Sequence, residues 1–179
     1  MLSPRKSLVL FALLSLTACG FRPLYGGAGT DDSVSGQTLT RETAAIFIDE
    51  ISDRTGQVLR RALSDRLTPR GETTDPRYRL SVRLSDAVLT QQGVRKDNLA
   101  TRYVMTYTAR FTLYSYPENE KLLNDSAVGR TSYDVQRSPY ATDVAERSAK
   151  ERVMKILGDD ISLRLAAFLK SHNVKNGGE

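Results

Sequence analysis

The chain has 179 residues, a formal charge of +5, 40% hydrophobic residues, one cysteine and one histidine. That length suits one domain with a modest core, while a lone Cys19 excludes an internal disulfide and a lone His172 leaves a metal site without the several ligands it needs. The positive balance is mild and gives no warrant for nucleic acid as a partner.

The first residues carry an address. Arg5 and Lys6 form a short basic region, followed by the apolar run Ser7-Leu8-Val9-Leu10-Phe11-Ala12-Leu13-Leu14-Ser15-Leu16. This run is too short for the roughly 30 Å hydrocarbon core, which takes about 20 apolar residues. Charge, a short apolar run and small residues make a secretory signal, here residues 1–18. Leu16-Thr17-Ala18-Cys19 is a lipobox: an aliphatic residue, two small ones and the thiol that receives a diacylglyceryl group and becomes the new N-terminus. One acyl chain binds a membrane only reversibly, so stable anchoring takes more than one. Gly20 stands where aspartate would favour inner-membrane retention in enteric bacteria, which leans toward the outer membrane. Removing residues 1–18 takes away Arg5 and Lys6, and the charge falls from +5 to +3.

Residues 19–40 read as an acylated N-terminus and flexible tether. Gly26, Gly27, Gly29, Asp31, Asp32, Ser33, Ser35 and Gly36 supply turn chemistry without an apolar period. Ala44–Asp49 is β-prone and predicts a first strand. Asp53, Thr55 and Gly56 offer helix-capping chemistry; Val58, Leu59, Ala62, Leu63 and Leu67 then recur at helical spacing until Thr68-Pro69-Arg70-Gly71.

Three long strands follow. Tyr78, Leu80, Val82 and Leu84 alternate with Arg77, Arg79, Ser81 and Arg83, giving an apolar and a basic face. A connection through Gln92-Gly93 and Asp97-Asn98 carries Arg95 and Lys96 near its tip. In the next strand Leu99, Thr101, Tyr103, Met105, Tyr107, Ala109, Phe111 and Leu113 share one face; Arg102, Val104, Thr106, Thr108, Arg110 and Thr112 share the other. Pro117-Glu118-Asn119-Glu120 turns the chain into a strand from about Leu122 to Val135. Ser138-Pro139 then opens a long helix, with Gly158 inside it at a cost of about 1 kcal/mol relative to alanine and room for a bend.

The β-α-β-β-β-α order predicts a single α+β domain over residues 41–172. Two helices pack on one face of a four-stranded, mostly antiparallel sheet, and residues 173–179 form a disordered tail. Catalytic chemistry finds no support: His172 lies in a polar tail, Asp159-Asp160 reads as a solvated helix face, and Gly26-Gly27-Ala28-Gly29 does not link a strand to a helix as a dinucleotide site requires. No enzyme activity, metal or cofactor is expected. The arginines off the apolar strand faces read either as a solvated charged surface or as a grip for a phosphate-bearing ligand.

Cys19-Gly20-Phe21-Arg22-Pro23-Leu24-Tyr25-Gly26 is similar to the mature start of the LptE family of lipopolysaccharide (LPS) assembly lipoproteins, especially their alphaproteobacterial members. Asp53-Arg54-Thr55-Gly56-Gln57-Val58-Leu59-Arg60 resembles that family's first helix, and Tyr78-Arg79-Leu80-Ser81-Val82 its second strand. The resemblance implies an outer-membrane lipoprotein on the periplasmic side. Such a protein plugs the lumen of the LPS-transport β-barrel (LptD), supports barrel assembly and contacts lipopolysaccharide. It carries lipid attachment over to Cys19 and makes Arg95, Lys96, Arg102 and Arg130 candidate lipopolysaccharide contacts. The rival expectation is another envelope adaptor, either an auxiliary subunit of a lipid-transport system or an activator of peptidoglycan synthesis.

Overall fold

The computed structural model describes residues 41–94 and 100–176, with side chains described for 41–92 and 101–172. The signal, tether and lipid-attachment expectations, Cys19 among them, lie outside the described residues, as do Arg95 and Lys96. Residues 41–44 form one helical turn, closed by the Ala45 N–H donating to the Arg41 carbonyl at 3.1 Å. The first strand is therefore shorter than its β-prone run: β1 is Ile46–Ile48.

Helix α1, Asp53–Leu67, follows. The expected capping chemistry does not form. Ser52 occupies the N-cap without a side-chain hydrogen bond, and Asp53 takes a left-handed backbone (φ 70°), which aspartate tolerates better than most L-residues. The Gln57 side chain ties the helix start instead, its Nε2 donating to the Ile51 carbonyl at 2.7 Å. Leu59, Leu63 and Leu67 are buried along one side, at the spacing that sets one face of a helix. Having crossed over the sheet, the chain returns as β2, Tyr78–Leu84, parallel to β1 with Ile46 opposite Tyr78 and Ile48 opposite Leu80. A parallel pair needs such a crossover.

The sheet has five strands rather than four, because the stretch read as a connection contains β3, Val88–Val94. Strand β4, Ala100–Ser115, is the axis. Along one edge it pairs with β2 and β3 end to end, and along the other with β5, Lys121–Asp134. Leu84 stands opposite Ala109 while Val88 stands opposite Thr106, so four steps on one side span three on β4. Ser85 marks this bulge-like break: its N–H donates to the Thr108 carbonyl at 2.8 Å, and its Oγ accepts from the Thr108 N–H at 3.0 Å. One extra residue swaps the faces. Val88 therefore emerges on the side opposite to Leu84, and the alternation that reveals β2 stops at Leu84.

Helix α2, Pro139–Asn176, closes the domain and extends past His172 into the segment expected as a tail. Pro139 opens it as expected, the Thr142 N–H reaching the Ser138 carbonyl at 3.1 Å. Ala149, Val153, Met154, Leu157, Ile161, Leu165 and Leu169 are buried along its inner side. They meet Leu59 and Leu63 of α1, Leu80 and Val82 of β2, and Met105, Tyr107, Ala109, Phe111 and Leu113 of β4 in one core. Each fully buried Val, Leu, Ile, Met or Phe side chain among them contributes roughly 1.5–3 kcal/mol on burial.

Two glycines set how close the layers come. A Cβ at Gly129 of β5 would stand 2.8 Å from both Val153 Cγ2 and Leu157 Cγ, so α2 lies directly on that strand's backbone. A Cβ at Gly158 would stand 3.1 Å from Ala62 Cβ. The glycine that weakens α2 locally is thus where α1 crosses it closely. All described residues fall within one compact unit, Gly36–Glu179, and none of their helices is long and apolar enough to cross a membrane.

Candidate functional site

Both helices cover the same face of the sheet, so among the described residues the other face stays open. The register arranges its side chains in cross-strand rows. From one end to the other the rows are Arg79–Tyr114, Ser81–Thr112–Asn124, Arg83–Arg110–Ser126, Thr108–Val128, Val88–Thr106–Arg130, Thr90–Val104–Ser132 and Gln92–Arg102–Asp134. The basic zone expected from the strand pattern forms on this face. Its charges, however, divide into two kinds.

The first kind is neutralised. Arg102 Nε donates to Asp134 Oδ1 at 2.7 Å across the β4–β5 pair. That hydrogen bond is the main reason the Asp134 carboxyl is held below the usual carboxylate range and the Arg102 guanidinium above its own. Arg79 lies over the Tyr114 ring, 5.1 Å from its centre, with Asp49 at 3.9 Å. Arg77, just ahead of β2, donates from Nη2 to Glu42 Oε1 at 2.6 Å. Glu42 is only 7% exposed and also accepts from the Tyr78 hydroxyl at 3.2 Å. Burial first, and then the Glu42 charge, push the Tyr78 hydroxyl up. This part-buried cluster clamps the turn ahead of β1 to the start of β2.

The second kind has no carboxylate partner among the described residues. Arg83, Arg110 and Arg130 are exposed, and none makes an ion pair or side-chain hydrogen bond with any described residue. Arg83 and Arg110 stand directly opposite one another.

Of the four expected contacts, two are therefore described, and they differ. Arg102 is paired and lies beside a shallow depression lined by Gln92, Thr101 and Asp134. Arg130 is unpaired and opposite Thr106, four residues along β5 from Asp134, roughly 13 Å at 3.3 Å per residue. The structure does not bring the two together. Arg83 and Arg110, absent from that candidate set, are the pair that the register joins. Their alternation was visible in the sequence, but their pairing and the destinations of the carboxylates were not.

Among the other described titratable groups, several form surface ion pairs. Asp159 pairs with Arg66 of α1, and Asp160 with Arg164 Nε at 2.9 Å, so the two adjacent carboxylates diverge. The His172 ring stacks on Phe168 with centres 5.4 Å apart. Among the described residues no three His, Cys, Asp or Glu side chains gather as a metal site would require.

Comparison with known proteins bears on this arrangement. Residues 43–165 match the family model LptE, lipopolysaccharide-assembly. The fold is similar to that of a candidate lipoprotein from Caulobacter crescentus CB15, with a TM-score of 0.63 at 19% identity over 74% of this chain and 96% of that one. It is also similar to the rare lipoprotein B from Shewanella oneidensis, with a TM-score of 0.54 at 14% identity over 73% and 98% of the two chains. A minor lipoprotein from Acinetobacter baumannii gives a TM-score of 0.52 at 16% identity over 69% and 92%. At these identities the structural likeness speaks for the fold. No curated protein sequence matches the chain.

Proposed function

The chain belongs to the LptE lipopolysaccharide-assembly family, and we propose that it is lipidated at Cys19 on the periplasmic side of the outer membrane and plugs an LptD-type β-barrel. In this reading the domain sits in the barrel lumen, supports barrel assembly and contacts lipopolysaccharide. The observation that carries it is the contrast, among the described residues, between the two sheet faces: one buried under helices, the other open, polar and holding arginines without carboxylate partners. A polar lumen suits such a face, and phosphate groups suit guanidinium forks. Arg95, Lys96 and Arg130 are the proposed lipopolysaccharide contacts, together with Arg102, which would exchange Asp134 for a ligand phosphate. No catalytic step is assigned.

Affinity purification of the tagged full-length lipoprotein from detergent-solubilised outer membranes, with mass spectrometry, tests this reading. A single large β-barrel at near-equal stoichiometry is expected. Recovery of cell-wall synthases or transporter subunits without a barrel would replace it with the adaptor reading. Labelled palmitate should enter the native chain but not the Cys19→Ser variant; label in that variant would remove the anchor from Cys19.

A further inference from the structure

The least explained charges in the domain are Arg83 on β2 and Arg110 on β4. Directly opposite positions of an antiparallel pair hold their Cβ atoms about 4.5–5.5 Å apart, where like charges destabilise the sheet. The fold has carboxylates to spend on arginines, since Glu42, Asp49 and Asp134 stand beside Arg77, Arg79 and Arg102. None of them serves Arg83 or Arg110. Asp125, beside Ser126 on β5, belongs to the covered face and is held by Arg164 Nη1 at 2.9 Å.

We propose that Arg83 and Arg110 form a two-guanidinium grip for a phosphate monoester or diphosphate group, at the centre of the open sheet face. Charge and geometry select the ligand. Two adjacent forks carry two positive charges and need more acceptors than a carboxylate, with two oxygens and one charge, can offer. A phosphate monoester supplies three oxygens and a charge of about −1.5 to −2, enough for a fork from each side. Ser126 completes the row on β5 and offers a hydroxyl donor on the same face. Beyond it the exposed side chains of Val128 and Val88, 57% and 62% accessible, add apolar surface. A phosphorylated amphiphile therefore fits better than a bare anion. The grip itself stands on the register; that its phosphate is carried by lipopolysaccharide rests on the function proposed above.

The test is calorimetric titration of the full-length lipoprotein in uncharged detergent, using intact lipopolysaccharide, phosphatase-treated lipopolysaccharide and inorganic pyrophosphate as probes. R83Q/R110Q should weaken binding of intact lipopolysaccharide at least tenfold and abolish the preference over the dephosphorylated form. R83K/R110K, which keeps charge but loses the forks, should fall between. The melting temperature of R83Q/R110Q should stay level or rise, because a like-charge opposition has been removed; that separates lost binding from lost folding. Wild-type affinity and phosphate preference in R83Q/R110Q would overturn the proposal. So would unchanged binding accompanied by loss of the co-purifying barrel, which would give the pair to a protein carboxylate. Pyrophosphate binding that the variant loses, with no lipopolysaccharide binding by the wild type, would keep the grip and overturn its lipopolysaccharide source. Wild-type protein that binds none of the three probes would overturn both.

Discussion

Strand β4 presents two surfaces built from alternate residues of one sequence. Met105, Tyr107, Ala109, Phe111 and Leu113 are buried under the helices. Arg102, Thr106, Thr108, Arg110 and Thr112 stand between them on the open side. The covered face is held by close packing, in which volume and shape decide the energy. On the open face the decisive quantity is which charge faces which, and a shift of one residue would change every pair. Packing and surface charge are thus separated by the two-residue period of the strand.

The strongest way to break this separation is to put charge on the covered side. Phe111 is 1% exposed, and an unpaired carboxylate there costs on the order of several kcal/mol. Phe111→Asp should abolish the cooperative melting transition seen by circular dichroism; a native melting curve would mean that the faces are reversed. A smaller loss is expected at Gly129, where α2 lies against backbone. Gly129→Val drives new atoms into Val153 and Leu157, which stand 2.8 Å from a Cβ built there. Overpacking of this kind costs about 1–3 kcal/mol, measured as a lower urea midpoint with unchanged slope. An unchanged midpoint would show that helix and strand can separate freely.

The smallest effect belongs to the open face and sharpens the contrast. Asp134 is held below its ordinary value of 3.8 chiefly by the Arg102 hydrogen bond. A carboxyl lowered in the folded state contributes stability above its unfolded value, and that contribution is lost as pH falls through the lowered one. Asp134→Asn should therefore be slightly less stable than the native chain at neutral pH and low salt. The gap should close as pH drops below 3.8, and shrink with salt because exposed charges are screened beyond about 10 Å at 0.1 M. A gap that persists in acid would assign the effect to something other than this ion pair.

Much of the architecture can be read from local pattern. The apolar spacing of α1 and α2 and the long alternation of β4 survive folding because each reflects a side chain's need to leave water on one side of a regular element. Strand β3 is legible only in three dimensions. Its extra residue after Leu84 reverses the faces, and its Val88 and Leu89 side chains are both exposed, so burial leaves no period to read. Gly158 was visible as an anomaly whose reason was hidden: it admits Ala62 of another helix. Gly129 gave no signal at all, because a glycine beneath a helix looks locally like any glycine in a strand.

The candidate site divides in the same way. Arg77, Arg79, Arg83, Arg102 and Arg110 are distributed by the sequence to one side of their strands, since alternation alone decides that. Which of them keep an uncompensated charge is decided by Glu42, which lies 35 residues from Arg77 in the chain, and by Asp134, which lies 32 from Arg102. Coulomb attraction depends on separation in space, and separation in space is set by strand order and register. The sequence by itself determined the two helices, the long alternating strands and the side on which each arginine lies. The tertiary structure decided the bulge, the close approaches at two glycines, and the choice of Arg83 and Arg110 as neighbours without a counter-ion among the described residues.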